Sequence, residues 1–421
     1  MRHIGTLLLV ALVGALARAE GVDSSEKIAS TRVRLNGATT VLPVAGGLVS
    51  LGGSSLRQLV PGARRWKVLH RQSGDNLYRV AGDDSGRLLA AWEKDPFIHY
   101  FTAGPKRQHL RLPKPVVPSP GHRAFSLQSL FFSPNGRDAL VSLSGSRAGI
   151  DVRWSTAVYR IALDGKSAPE LLFLDDGGFL LHISRNGAVF ARPRDPRQRC
   201  DNGGCAPIAA IIAYDFSGGR VLQRTLLTYE QVPMSIARPV RGSNHERVVV
   251  MLGLDRGGRA LLRWRPGEAT ADYRPLPRGS LDAVSMVTRT DEFIELRTHG
   301  SRMSAIQLDV KRYPPEGGEQ VVTLPPLQKV DTNTYGLGVR KDGSLWVHWG
   351  DHLVLLGPDK PARSFSLEPL LVRRTEWAGA DIYIETPESL WVGIEAGAGR
   401  NFVRVDFAEA EKRAKRCPGG K

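Results

Sequence analysis

The chain has 421 residues, 42% of them hydrophobic, and its 58 lysines and arginines against 42 acidic residues give a net charge of +16. Beyond residue 19 no stretch is apolar enough to span a membrane. The basic residues are scattered as single arginines rather than gathered with aromatics into a patch, which argues against nucleic-acid binding and leaves two readings, ordinary solubility or an anionic partner.

Residues 1–19 have the pattern of a cleavable secretory signal peptide. Arg2 and His3 form the charged start, residues 7–16 the apolar run, and residues 17–19 a small-x-small cleavage site. The apolar run is too short for a membrane anchor, which needs about 20 residues. No cysteine follows the cleavage site, so a lipid anchor is not expected. We therefore expect a mature chain that begins near Glu20, has no membrane span and is periplasmic or secreted.

Residues 20–30 are interpreted as an N-terminal extension, residues 31–410 as a repeat region and residues 411–421 as a polar, basic tail. Each repeat unit has about 49 residues, with four short strands and two turns. The first turn of each unit is expected at Gly47, Gly86, Gly136, Gly187, near Glu246, near Glu292, at Gly343 and at Ser389.

A period of this length with four strands per unit is typical of a β-propeller, so the predicted fold is all-β, a single propeller of eight four-stranded blades. Seven blades remain the alternative if residues 39–70 form an irregular cap. The last unit has three predicted strands, at residues 380–385, 390–394 and 402–407. The lone strand at residues 31–35 is expected to pair with this unit and close the ring, which would remove exposed edges.

Two consecutive units show the repeat clearly. The first has a turn at residues 132–136, strands at 139–143 and 157–163, a turn at 164–165 and a strand at 170–173. The second has a turn at residues 184–187, strands at 188–191 and 208–216, a turn at 217–219 and a strand at 220–227.

Residues 132–165 resemble the WD40-like propeller repeats of the TolB type, in which an F-S-P-D/N-G turn precedes an apolar strand and a Y-x-(I/V/L)-x-L-D-G segment. The segments at residues 341–347 and 387–393 resemble the D-G-x-L-W-V/I-G blades of periplasmic sensor-kinase propellers. Both resemblances imply a propeller, and neither carries a catalytic residue onto this chain.

Three cysteines occur in the sequence. Cys200 and Cys205 flank a turn-forming D-N-G-G run, so we expect a disulfide that staples this loop in an oxidising compartment. Zinc is disfavoured because two thiols are too few ligands and the nearest histidine, His182, is distant in sequence. Cys417, in the tail, is left as a free or intermolecular thiol.

The connections between second and third strands are the expected place for function, because in a propeller they lie on one face with the connections between blades. The longest are predicted at residues 144–154 and 192–206. Six arginines fall on them, and guanidinium groups bind carboxylates or phosphates, so these residues form the candidate partner site. The six are Arg147, Arg153, Arg192, Arg194, Arg197 and Arg199. An ordinary solvated basic loop is the alternative.

No catalytic constellation is visible. The histidines show no H-E-x-x-H spacing, there is no G-x-S-x-G elbow, and the paired aspartates fall in turns, where they cap backbone amides. The scattered histidines are His70, His99, His109, His122, His182, His245, His299, His348 and His352. Trp92, Trp346, Trp349 and Trp391 are expected to pack between blades, with a sugar-stacking platform as the alternative.

The leading hypothesis is a non-enzymatic binding or scaffold protein of the bacterial cell envelope. It would bind a protein or an anionic polymer, act as a monomer, and need no cofactor or metal. The rival hypothesis is an envelope hydrolase or lyase whose active site lies at the mouth of the propeller channel.

Overall fold

In the computed structural model, every element with described bounds is a β-strand, which confirms the all-β prediction. In the part of the chain that the structure describes, no helix is long and apolar enough to cross a bilayer. The structure describes residues 32–36, 40–44, 47–51, 54–60, 63, 65–83, 85–102, 107–113, 126–146, 154–195, 207–218, 220–240, 246–278, 284–288, 290–299, 306–316, 318–327, 335–340, 343–349, 352–357, 363–366, 380–385, 389–396, 399–406, 408 and 415–416.

The strands follow one another in chain order. The first thirteen are β1 (Arg32–Asn36), β2 (Thr40–Val44), β3 (Gly47–Leu51), β4 (Ser55–Leu59), β5 (Lys67–Arg71), β6 (Leu77–Gly82), β7 (Leu88–Trp92), β8 (Phe97–Phe101), β9 (Arg107–Arg111), β10 (Ser126–Phe132), β11 (Asp138–Ser146), β12 (Trp154–Ala162) and β13 (Glu170–Asp176). The next nine are β14 (Phe179–Ile183), β15 (Gly187–Pro193), β16 (Ile208–Asp215), β17 (Leu222–Thr228), β18 (Met234–Pro239), β19 (Val248–Leu254), β20 (Arg259–Trp264), β21 (Asp272–Leu276) and β22 (Ser285–Val287). The remainder are β23 (Phe293–His299), β24 (Ile306–Tyr313), β25 (Gln320–Leu327), β26 (Tyr335–Val339), β27 (Leu345–Trp349), β28 (His352–Leu356), β29 (Arg363–Ser366), β30 (Ala380–Glu385), β31 (Ser389–Ala396), β32 (Gly399–Asp406) and β33 (Lys415–Arg416).

One compact unit comprises Gly37–Arg297 and Lys311–Gln320. In it, β2–β5, β6–β9 and β10–β13 each form a four-stranded sheet with the strands in chain order. The groups β14–β17 and β18–β21 repeat this arrangement, and the pair Ile208↔Met234 between β16 and β18 joins them into one larger sheet. The predicted four-stranded repeat unit is confirmed here. Residues 39–70, for which an irregular cap was the alternative, contribute to the sheet β2–β5.

The second unit comprises residues 1–36, Thr298–Val310 and Val321–Lys421. Strands β26–β29 form a sheet to which β33 adds an edge. Strands β30–β32 form another, and β1 pairs antiparallel with β32, with Arg32 opposite Val403. The predicted pairing of the first strand with the last unit is therefore observed, while the number of blades and closure of a ring stay predictions.

The sheets of the first unit bury apolar side chains on both faces, so their second strands are almost continuously buried rather than alternating. Val49 and Leu56 pack in one cluster with Ala90 and Trp92 of the next sheet. Three of the tryptophans predicted on second strands are buried: Trp92 is 2% exposed, Trp346 3% and Trp391 7%. All three are therefore interior side chains, and Trp92 packs against Val49 and Leu56 of the neighbouring sheet as predicted, while packing between blades stays a prediction for Trp346 and Trp391.

A recurrent tight turn joins the first and second strands of several groups. In one, the Ser133 N–H donates to the Asp138 carbonyl and the Gly136 N–H donates to the Ser133 carbonyl, both at 2.9 Å. Similar bond pairs start at Asp83, Thr288 and Arg340. The residue three positions after each start has a left-handed backbone: φ is 81° at Gly86, 65° at Gly136, 63° at Asp291 and 80° at Gly343. Three of these positions are predicted turn glycines; the other is an aspartate.

Candidate functional site

The predicted partner site is only partly within the described residues. Arg192 is the next-to-last residue of strand β15, and Arg194 is the first residue of the connection to β16. The other four predicted arginines, Arg147, Arg153, Arg197 and Arg199, lie outside the described residues, as do Cys200 and Cys205 of the predicted disulfide. The site therefore stays a prediction, to which the structure adds the surroundings of two of its members.

Arg192 is held by a buried carboxylate. Asp175, which is fully buried, accepts hydrogen bonds from Arg192 Nη2 and from the Tyr214 hydroxyl, each at 2.7 Å, and from the Gly178 N–H at 2.9 Å. Burial and then the Asp175 carboxylate raise the pKa of Tyr214, so its hydroxyl keeps the donated proton. A buried charge is costly unless it is paired in this way. Arg192 therefore has a structural partner of its own.

Arg194 lies in a different environment. Its side chain is exposed, and its guanidinium carbon lies 4.7 Å from the centre of the Tyr229 ring. The Tyr229 hydroxyl donates a short hydrogen bond to Asp255, which fixes the ring. The Arg194 N–H donates to the Pro207 carbonyl at 2.9 Å and closes the base of the connection. These contacts orient a solvent-facing cation where the loop begins.

The residues around Arg194 come from the connections that were expected to carry function. Arg194 belongs to a connection between second and third strands, and Asp255 to the equivalent connection after β19. Tyr229 lies between β17, the last strand of its group, and β18, the first strand of the next. The predicted grouping of these two kinds of connection is observed at this place in the first unit.

Sequence reasoning missed a cluster of three histidines. His70 of β5, His99 of β8 and His109 of β9 lie together: the ring centres of His70 and His99 are 5.3 Å apart, and those of His99 and His109 are 4.6 Å apart. His99 and His109 are directly opposite in the pairing of β8 with β9. The sequence could have indicated this pair through the register of the two strands. That register can be derived only when the position of the turn between β8 and β9 is known.

His99 is the buried member of the cluster, at 3% exposure. Its Nε2 lies 2.7 Å from a carboxylate oxygen of Asp95, which also accepts a hydrogen bond from Gln72. Because an ionised carboxylate only accepts, Nε2 carries the proton and Nδ1 is an acceptor. Nδ1 is buried and has no hydrogen-bond partner among the described residues. Burial lowers the pKa of His99 against the opposing effect of Asp95, so the ring is neutral at pH 7.

The surroundings of this cluster are mainly aromatic and cationic. The Trp92 ring centre lies 5.0 Å from that of His70 and 4.7 Å from that of His99. Arg107 Nη1 lies 2.7 Å from His70 Nδ1, and the pKa of His70 is lowered by burial and then by Arg107. Within the described ranges, no group of three or more His, Cys, Asp or Glu side chains is arranged to hold a metal ion.

No protein-family model and no curated protein sequence matches the chain. Solved structures of WD40 and β-propeller-like proteins align with it over most of its length. The WD40 domain of SCAP from fission yeast is 10% identical, with 90% of this chain and 94% of that chain covered and a TM-score of 0.48.

A structure described as YCF48 bound to D1 peptide is 11% identical, with 90% of this chain and 98% of that chain covered and a TM-score of 0.45. An inactive variant of virginiamycin B lyase from Staphylococcus aureus with quinupristin is 10% identical, with 89% of this chain and 99% of that chain covered and a TM-score of 0.39. These proteins differ in function, and at such identities the similarity assigns none of their activities to this chain.

Proposed function

We propose that this chain is an exported, non-enzymatic binding or scaffold protein of the bacterial cell envelope. It presents the connections between second and third strands, and those between groups, to a protein or an anionic polymer. The observation that carries this proposal is the exposed Arg194 guanidinium, oriented on Tyr229 at the base of the connection that also contains Arg197 and Arg199.

The arrangement suits binding of carboxylates or phosphates for two reasons. A guanidinium group presents N–H donors in a planar fork that matches both anions. Stacking on Tyr229 restricts the Arg194 side chain before the partner arrives, so less conformational entropy is lost on binding. Arg192 supports the base of the same connection through Asp175, so the loop starts from a fixed strand end.

The proposal is tested by removing three charges from this connection. The variant Arg194→Ser, Arg197→Ser, Arg199→Ser is compared with Arg137→Ser, Lys166→Ser, Arg220→Ser, which removes three exposed charges from turns at the opposite ends of the strands. Binding to poly-L-glutamate and to a bacterial envelope extract is measured for both. We expect the first variant to lose at least about tenfold in affinity for both materials while the second changes little. Equal losses in the two variants would contradict the proposal.

A second candidate function, an envelope hydrolase or lyase, is favoured by the Asp95–His99 pair, in which a neutral imidazole has an acceptor nitrogen. Two observations weigh against it. His99 is buried, so a substrate has little access to it. The cluster also lies on the third and fourth strands of its sheets, whereas an active site at the channel mouth would be near the first, inner strands. Turnover of a peptidoglycan or peptide library that disappears in His99→Gln, with folding retained, would favour the enzyme.

A further inference from the structure

A small cavity lies between the sheet β18–β21 and strand β22, at the ends of the strands away from Arg194. Its volume is about 160 Å³. Its floor is formed by Val249, Leu261 and Val287, which are almost fully buried. A cavity of roughly this size lined by apolar side chains can hold a benzene molecule. The floor therefore suits a compact apolar group.

Charged side chains form the rim of the cavity. Asp291 is contacted by three guanidinium groups, and one of these, Arg263, also binds Asp272. The three are Arg247, Arg263 and Arg265. Arg274, across from Leu261 in the pairing of β20 with β21, donates to main-chain carbonyls of residues 313 and 314. Arg263, Arg274, Asp272 and Asp291 line the cavity, whereas Arg247 and Arg265 contact Asp291 without lining it. In this cluster of described residues four guanidinium groups face two carboxylates, and Arg274 is the lining guanidinium whose hydrogen bonds go to main-chain carbonyls and to no carboxylate.

Asp291 occupies a backbone conformation that glycine occupies in similar turns of the chain. Its φ of 63° is left-handed, which costs free energy for a residue with a side chain. Left-handed non-glycine residues are concentrated at binding sites, where the surroundings compensate the strain. Here the carboxylate lines the cavity and is bonded to three arginines, of which one, Arg263, also lines it.

We propose that this cavity binds a small carboxylate whose apolar part is about the size of a benzene ring. The apolar part contacts Val249, Leu261 and Val287, and the carboxylate accepts hydrogen bonds from Arg274, the lining guanidinium that is not bonded to a carboxylate of the described residues. The site does not depend on the proposed function, because it lies at the other ends of the strands and takes a small molecule.

The test uses the full-length protein and three probes of one shape, measured by calorimetric titration. Benzoate carries the carboxylate, benzyl alcohol is neutral and benzylamine is a cation. We expect benzoate to bind at least about tenfold more tightly than benzyl alcohol, because a charge-assisted pair is stronger than a neutral hydrogen bond. Equal binding of benzoate and benzyl alcohol, tighter binding of benzylamine, or no binding of benzoate would overturn the proposal.

Two variants locate the binding. Arg274→Met should weaken benzoate binding about fivefold or more, and Val287→Met, which fills the floor, should weaken benzoate and benzyl alcohol alike. The matched controls are Arg160→Met on β12 and Val68→Met, a side chain that is 47% exposed on β5. If Arg274→Met does not fold, Arg274→Gln, which can still donate to the main-chain carbonyls of residues 313 and 314 but carries no charge, takes its place. Unchanged benzoate binding in the folded rim and floor variants would overturn the proposal.

One further comparison identifies the source of the carboxylate. Gly-Gly-Phe with a C-terminal carboxylate is compared with its C-terminal amide. Binding of the acid alone supports a site that also accepts the C terminus of a peptide, and binding of neither, with benzoate still bound, supports a site for free acids. Equal binding of the acid and the amide would count against carboxylate recognition. The Arg194, Arg197, Arg199 variant should bind benzoate like the wild type, so this proposal and the proposed function can fail separately.

Discussion

Arg259 and Arg194 occupy opposite environments in the same compact unit. The Arg259 side chain is 1% exposed and makes two hydrogen bonds, of 2.9 and 2.7 Å, to the fully buried carboxylate of Glu295. Arg194 is exposed and lies against the Tyr229 ring. A buried guanidinium must be matched by a carboxylate to offset its desolvation, whereas an exposed one keeps its water and can exchange it for a partner. The comparison separates arginines that serve folding from those that can serve binding.

The largest expected effect comes from breaking the interior pair. Arg259→Met should lower the free energy of unfolding by about 3 kcal/mol, because the fully buried Glu295 carboxylate then keeps only the partly exposed Arg297 as a charged partner. Urea unfolding followed by circular dichroism measures this loss. The double variant Arg259→Met, Glu295→Leu should recover part of it, since no buried carboxylate remains and the guanidinium that loses its partner, Arg297, is 26% exposed. A single variant within about 1 kcal/mol of the wild type would contradict the structural role.

Asp175 tests the intermediate case, in which a buried carboxylate holds a half-exposed arginine. Asp175→Asn should cost about 2–3 kcal/mol of unfolding free energy, because Arg192 and Tyr214 lose their charged acceptor. The control Asp164→Asn, in an exposed turn, should stay within about 0.5 kcal/mol of the wild type. Equal effects of the two substitutions in urea unfolding would show that Arg192 does not depend on Asp175.

The same contrast of burial applies to histidine. The folded-state pKa of His99 is lowered, so as the pH falls the unfolded chain binds the proton first. Stability is therefore complete above the unfolded pKa of about 6.5 and decreases below it, by up to about 1.4 kcal/mol per pH unit. His99→Gln should flatten this dependence between pH 7 and pH 5, whereas His109→Gln, an exposed position, should keep most of it. An unchanged slope in His99→Gln would exclude His99 as its source.

The smallest expected effect concerns the left-handed turn at Asp291. Both Asp291→Asn and Asp291→Gly remove the carboxylate from the arginines, but only glycine relieves the backbone strain. Asp291→Gly should therefore be more stable than Asp291→Asn by about 0.5–1 kcal/mol. At Gly343, where the similar turn already has glycine and an added Cβ would meet no atom within 4 Å, Gly343→Asn should be destabilising by a similar amount. If the two variants at Asp291 are equally stable in urea, the turn stores no strain.

The repeat could be predicted from the sequence because its turns depend on local chemistry. The turn sequence at residues 132–136 contains Gly136, whose φ is 65°, and this turn marks where strand β10 ends and strand β11 begins. The predicted strand at residues 380–385 has the observed bounds, and the predicted pairing of residues 31–35 with the last unit is observed with β1 at Arg32–Asn36.

The sites could not be predicted in the same way because they depend on contacts between distant strands. The histidine cluster combines β5, β8 and β9, and its closest pair exists only in the register of β8 with β9. Asp291 escaped notice because the other left-handed turn positions of this kind are glycines. In the predicted arginine group, Arg192 proved to have a buried partner that is distant in sequence, Asp175.

The central claim is that Tyr229 orients Arg194 for an anionic partner, and a double-mutant cycle tests it directly. The Kd for poly-L-glutamate is measured for the wild type, Arg194→Ser, Tyr229→Leu and the double variant. We predict that Tyr229→Leu weakens binding about threefold in the wild type and has no further effect once Arg194 is replaced. Equal effects of Tyr229→Leu in both backgrounds, or none in either, would contradict the account.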